Sequence, residues 1–362
     1  MNNKNKKLNI SFLIGNGFDI GILKSIGKKH TTTYKEFYDY LSYYLVDKEN
    51  FIYKEIHSSK DSDLWGDFEL ILANAIESIS DSIKDENSYS KILADWKEIQ
   101  FLFADFLNLV VTPDILKDVC GLDSEKTLEQ FLGDLSEEQY AAIKFPSKTG
   151  HHMEIQYNVF NFNYSPLLDN YFYSLFDPHP FSTSENNANF YPDPNEFGAI
   201  GKDFWFLKRN LTLYHPHGRI SIPSSLLFGT SSNQKYKSSP MVNSIYYSNY
   251  EQELKKRLDK PYWSRVDTKI SPILNASNLI IIYGHSIGKS DSWWWKDILE
   301  YMSRSECELI IYDYHNGNLK EKLFEYCPEL IKKLEDRVFL VNFDEAHPLR
   351  YGFDFSKEVE ND

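Results

Sequence analysis

Hydrophobic positions along the chain follow two patterns. Short continuous apolar runs at residues 9–14, 157–162, 211–214, 225–228, 278–283, 308–312 and 337–342 predict seven strands. Most of these runs do not alternate with polar residues. Strands covered on both faces need that pattern, so the runs predict a parallel sheet. Helical spacing fills the gaps. Trp65, Phe68, Leu72, Ala75, Ile76, Ile79 and Ile83 recur at helical intervals, as do Ile92, Trp96, Ile99, Phe103 and Leu107. Residues 34–132 therefore read as helices set between the first and second strands. Residues 177–202 are rich in Pro, Asn and Ser and read as a long loop or lid. The expected fold is α/β, a Rossmann-like parallel sheet with a large helical insertion after the first strand. One domain is expected over residues 1–362, with 45–150 as the insertion subdomain.

Composition narrows the class. Acidic residues outnumber basic ones, 53 to 39, for a formal charge of −14. General nucleic-acid binding needs a basic surface to displace counterions, so that class is not expected. Cys120, Cys307 and Cys327 are scattered; they suit a reducing compartment and cannot form a four-Cys zinc site. The basic start MNNKNKK is followed by LNISFLIGNG, too short and too soon broken for a signal peptide or membrane span. A cytoplasmic protein without metal or prosthetic group is expected.

Four strand ends carry unusual residues. The first strand runs into Gly15-Asn16-Gly17-Phe18-Asp19-Ile20-Gly21. A Gly-rich turn between strand and helix can aim N–H groups at a phosphate, or can simply be a tight turn. The dinucleotide fingerprint has two residues between its second and third glycines, whereas three stand here. The second strand ends in Asn161-Phe162-Asn163-Tyr164-Ser165; Ser165 suits a cap for a helix opening at Pro166, whereas capping explains Asn163 less well. The third ends in His215-Pro216-His217-Gly218, where no third metal ligand is near. A fourth motif, Tyr283-Gly284-His285-Ser286-Ile287-Gly288, follows a strong strand. In a doubly wound sheet these ends face one crevice.

The last motif matches G-x-S-x-G, so a serine hydrolase with Ser286, Asp313 and His347 in elbow order is an alternative. Against it, Lys289-Ser290-Asp291 separates the serine from Trp293-Trp294-Trp295, where an elbow helix should begin at once. Asp67 and Glu69 in Trp65-Gly66-Asp67-Phe68-Glu69 read most simply as acids of a helix's first turn.

Taken together, GNGFD, the WxDFE segment, FNYS, HPHG and YGHSIGKSD resemble the AbiH family of bacterial phage abortive-infection proteins, whose usual forms are GNGFD, FNYT, IHG and GHSLGxxD. The likeness runs from Gly15 to Asp291. More distantly, the order resembles sirtuin-like NAD-binding domains: a GAGxS turn, an Asn-bearing strand end, His-Gly, Phe-Gly and a final GxS. Phe228-Gly229 stands at the Phe-Gly place. Two departures stand out. The sirtuin deacetylases' four-Cys zinc ribbon is missing, and Ser165 replaces the Asp of their TxNYD pattern.

The resemblance implies a defence protein that takes NAD as substrate and cleaves the nicotinamide–ribose bond. It implies that Asn163 orients the ribose and the attacking water, with His217 as general base. It further implies that Gly15, Asn16 and Gly17 cradle the pyrophosphate and that Gly284, Ser286 and Asp291 hold the adenosine half. Phe18, Asp19 and Tyr164 complete the expected binding set. A non-catalytic sensor of NAD, ADP-ribose or another nucleotide is the alternative from a different class. A phage-derived trigger and self-association fit either reading.

Overall fold

The computed structural model describes residues 7–45, 47–58, 71, 86–145, 154–173, 196–204, 207–226 and 269–355. The Trp65–Glu69 motif, the residues Trp65, Phe68, Leu72, Ala75, Ile76, Ile79 and Ile83 of the first helical pattern, and Phe228-Gly229 lie outside the described residues.

Among the described residues seven strands form one sheet: β1 (Lys7–Ile14), β2 (Glu154–Asn161), β3 (Glu196–Phe204), β4 (Leu207–Tyr214), β5 (Leu279–Tyr283), β6 (Glu308–Tyr314) and β7 (Val338–Phe343). Their spatial order is β3-β4-β2-β1-β5-β6-β7. All neighbours pair in parallel except β3, an antiparallel edge strand on β4. Leaving β3 aside, the six parallel strands follow the Rossmann order, and the order reverses between β1 and β5. That switch point fixes where a cleft can open.

Successive residues of the central strands serve opposite faces. Phe12 and Ile14 of β1 belong to one apolar core and Leu13 to the other. In β5, Ile281 and Tyr283 face the first core, Ile280 and Ile282 the second. Both faces are thus dry, which explains the continuous apolar runs; each buried Leu, Ile or Phe contributes about 1.5–3 kcal/mol.

Between β1 and β2 stand α1 (Gly17–Ser25), α2 (Tyr34–Tyr44), α3 (Phe51–Ser58), α4 (Glu86–Val110), α5 (Pro113–Cys120), α6 (Ser124–Gln130) and α7 (Glu137–Ala142). Ile99, Phe103, Phe106 and Leu107 of α4 extend the first core. After β2 comes α8 (Leu167–Tyr171), and α9 (Ser271–Leu274) precedes β5. The second core is closed by α10 (Ser292–Arg304), α11 (Leu319–Phe324) and α12 (Ile331–Leu334). Trp294 and Trp295 are fully buried there, so that part of the Trp triplet is core. Among the described residues no single helix is long and apolar enough to cross a membrane.

Two local expectations fail. The run at 225–228 does not open a strand: Pro223–Ser225 form a 3-10 turn and Leu226 follows as buried coil. Part of the expected loop at 177–202 is strand β3. An edge strand has one hydrogen-bonding neighbour, and its sequence carries little of the apolar signal that marks the central strands.

Candidate functional site

Three glycines let the turns after β1 and β5 press against each other. Gly15 N donates to Tyr283 O at 2.8 Å and Gly17 N to Gly284 O at 2.9 Å. A Cβ on Gly15 would lie 2.6 Å from Gly284 O, and one on Gly17 would lie 2.6 Å from Gly284 Cα. Gly284 itself has φ +73°, and a Cβ there would meet Phe18 N at 2.7 Å. This corrects the phosphate-cradle expectation in one respect. The Gly15 and Gly17 amides are spent on β5 and are not aimed at a ligand. Asn16 is likewise engaged, accepting from Thr32 Oγ1 at 2.6 Å and donating to Thr32 O at 3.0 Å. It ties the turn to the segment that leads into α2.

Phe18 is also corrected. It is fully buried, with Tyr171 and Phe355 edge-on at 5.4 and 5.3 Å, so it anchors α1 in the first core rather than facing a ligand. The next residue turns the other way.

Ten of the eleven expected site residues line one cavity of about 360 Å³: Gly15, Asn16, Gly17, Asp19, Asn163, Tyr164, His217, Gly284, Ser286 and Asp291. The volume suits a small organic ligand. The cavity sits at the carboxyl ends of β1, β2, β4 and β5, across the switch point. Sequence reasoning missed two of its walls. Thr32, Thr33, Tyr34 and Lys35 enter from the start of α2, and Phe103 and Leu107 from α4. Helical periodicity marked Phe103 and Leu107 as core but did not say that they also wall the cavity at the strand ends.

At the centre lies a buried polar network. Asp19 accepts from Asn163 Nδ2 at 2.9 Å and from Ser165 Oγ at 2.6 Å. Ser165 Oγ also accepts from Leu167 N at 3.2 Å, but α8 opens at Leu167 with Pro166 at its N-cap, so Ser165 sits one residue before the cap position expected of it. The Asn163 backbone N–H donates to Asn161 Oδ1 at 3.0 Å, which fixes the turn. Burial pushes the Asp19 carboxyl up to about 7; Asp169 adds to this, while the Ser165 and Asn163 bonds partly oppose it. Asp169 is held by His215 Nε2 at 2.8 Å, so the first His of the HPHG motif is a fully buried structural partner.

The second His stands in the cavity. His217 is 3% exposed. Its Nε2 lies 3.3 Å from Asp291 Oδ1, at ion-pair distance. The ring is edge-on to Phe162 at 5.0 Å, with Tyr164 6.0 Å away. His285 also packs edge-on against Phe162, 4.6 Å between ring centres. Asp291 therefore stands beside His217.

Ser286 is exposed in the cavity. The residue after it, Ile287, has φ 54°, a strained angle for a β-branched side chain. A 3-10 turn, Lys289–Asp291, then precedes α10. The expected hydrolase partners are elsewhere. Asp313 accepts from Gly317 N and Leu319 N at 2.7 and 3.1 Å, shaping the start of α11. His347 is bound to Asp344 in an exposed turn. Neither lines the cavity with Ser286.

Strand order and cavity together define a Rossmann-like α/β protein with its cleft at the switch point. A family model described as bacteriophage abortive infection AbiH matches residues 11–313. The chain belongs to that family, and membership implies a role in phage abortive infection. A search of curated proteins finds no significant match.

Proposed function

We propose that the cavity binds NAD and hydrolyses its nicotinamide–ribose bond, as a sirtuin-like NAD glycohydrolase whose helical block after β1 supplies part of the wall. The observation that carries the reading is the pairing of Asn163 and His217 in one buried cleft at the strand ends. A site that only bound a nucleotide would not need a buried amide and an acid-paired imidazole together.

The chemistry asks for little more. The C1′–N bond breaks with its electron pair leaving on nicotinamide, a neutral base, and positive charge develops on the ribose. Water attacks C1′, and its proton passes to a base. Asn163 fits the orienting role and His217 the base, with Asp291 3.3 Å away to favour the imidazolium that forms. Phe162, Tyr164, Phe103 and Leu107 give the cavity apolar walls, beside which each charge contact is stronger than in water. Gly284 and Ser286 are the adenosine-side contacts in this reading. Loss of NAD halts the cell together with the phage inside it, which accords with abortive infection.

The test is product analysis. Purified protein incubated with NAD, with and without phage lysate, is expected to yield nicotinamide and ADP-ribose in equal amounts by chromatography. Binding without cleavage under both conditions replaces this reading with the sensor.

A further inference from the structure

Asp19 and Asn163 are 144 positions apart and are joined by one hydrogen bond, Nδ2 to Oδ1 at 2.9 Å. Both line the cavity, and Asp19 is 1% and Asn163 3% exposed. An ionised carboxylate has acceptors only, so Asn163 must offer it the NH₂ end of its amide. The amide is planar, which turns Oδ1 away from Asp19. Among the described residues no protein donor reaches Asn163 Oδ1; the residue's two bonds go to Asn161 and Asp19. The reverse orientation would set two oxygens against each other.

We infer that Asp19 is a positioning residue: its carboxylate holds the Asn163 amide so that Oδ1, an acceptor, is what the cavity offers its ligand. Protonation of Asp19 gives that carboxyl a donor and removes the restriction, because either end of the amide can then meet it. A ligand suited to the ionised state brings hydroxyl or water donors to Asn163. In the NAD reading, on which this choice of ligand rests, these are the ribose hydroxyls or the attacking water.

The surroundings make the switch accessible near neutrality. Asp169 of α8 repels the Asp19 charge, while His215 and Asn161 are occupied with Asp169. Across the cavity, His217 and Asp291 stand next to each other. Ser165 and Asn163 are the hydrogen-bond donors to Asp19. The Asp19 carboxyl accordingly loses its proton at about 7.

The experiment uses the full chain with selective ¹⁵N-asparagine labelling. The Asn163 side-chain resonances are identified by their absence in Asn163→Ala. In the wild type they are expected to shift with one midpoint near 7, and in Asp19→Asn that midpoint is expected to vanish. Circular dichroism of Asp19→Asn checks that the near-isosteric variant folds. Ser165→Ala, which keeps the carboxylate, should retain a midpoint and move it upward. Resonances that ignore pH between about 6 and 8, or that titrate identically in Asp19→Asn, overturn the inference. Calorimetry with ADP-ribose supplies the second arm. If only the ionised form presents the right group, wild-type affinity should fall about tenfold from pH 8 to pH 6, since the competent fraction falls by that factor. Asp19→Asn should show a change below about twofold over the same range. An Asn163 titration without any ADP-ribose or NAD binding upholds the positioning role and overturns the NAD reading. Binding with equal pH dependence in both proteins overturns the positioning role alone.

Discussion

Gly17 and Gly284 lie back to back, so close that a Cβ on the first would sit 2.6 Å from the Cα of the second. The contact joins the turns after β1 and β5, the two strands that flank the switch point. It sets the floor of the cavity and leaves no room for a side chain at either glycine. Gly17→Ala is expected to cost about 1–3 kcal/mol through overpacking. Gly284→Ala adds strain at φ +73° and should cost roughly 3 kcal/mol or more. Urea denaturation of both variants measures this. Wild-type midpoints in both would show that the turns are not pressed together.

The pH dependence of stability has an unusual sign at Asp19. Its carboxyl in the fold rests at about 7, well above its ordinary value, so the native state holds the proton more tightly than the unfolded chain does. Its contribution is therefore favourable in acid and is lost as pH rises through about 7, the reverse of a salt-bridged aspartate. The ionised group costs the fold roughly 4 kcal/mol, as an order of magnitude. Asp19→Asn does not titrate. Relative to wild type, it should gain about 2 kcal/mol between about pH 5.5 and pH 8. Denaturation curves at the two pH values check it, and a variant losing ground over that window would contradict it.

Much of this arrangement was legible in the sequence, for physical reasons. Strands dry on both faces have to be apolar throughout, so β1, β2, β4, β5, β6 and β7 announced themselves, and their ends pointed to Asn163, His217 and Ser286. Edge strand β3 carries no such burden and hid within a Pro- and Asn-rich stretch. The run at 225–228 misled because a short apolar segment can be buried without being a strand, as Leu226 is. Phe18 and Asp19 are adjacent in one motif, yet one anchors α1 in the core and the other faces the cavity. Helical geometry separates neighbours by about 100° and a motif does not say which side is which. The glycine amides were legible as a turn but not as partners of β5, because that contact joins residues far apart in the chain. The same holds for Asp19 with Asn163, and for Asp291 with His217.

Asp313 and His347 supply a control for the hydrolase alternative. His347→Ala should leave NAD cleavage unchanged, because the side chain lies in an exposed turn with Asp344. Asp313→Ala should lower stability by about 1.5–3 kcal/mol, since its carboxylate holds two backbone N–H groups. Activity per folded molecule should persist. Loss of turnover in a folded His347→Ala protein, together with labelling of Ser286 by an esterase probe, would revive the triad.

NAD hydrolysis at this cavity is decided by nicotinamide release, measured beside NAD binding in wild type, Asn163→Ala, His217→Ala and Ser286→Ala. The wild type is expected to release nicotinamide. Asn163→Ala and His217→Ala should fall by about 10²–10⁴ in turnover, because one orients the reacting groups and the other moves the proton. Both should still bind NAD by calorimetry. Ser286→Ala should raise KM and largely keep kcat, as loss of a contact made equally in ground and transition states does. A wild-type protein that binds NAD and releases no nicotinamide, even with phage lysate added, would overturn NAD hydrolysis and make the cavity a sensor. Total loss in Ser286→Ala with a mild effect in Asn163→Ala would overturn it too, placing the chemistry on the serine.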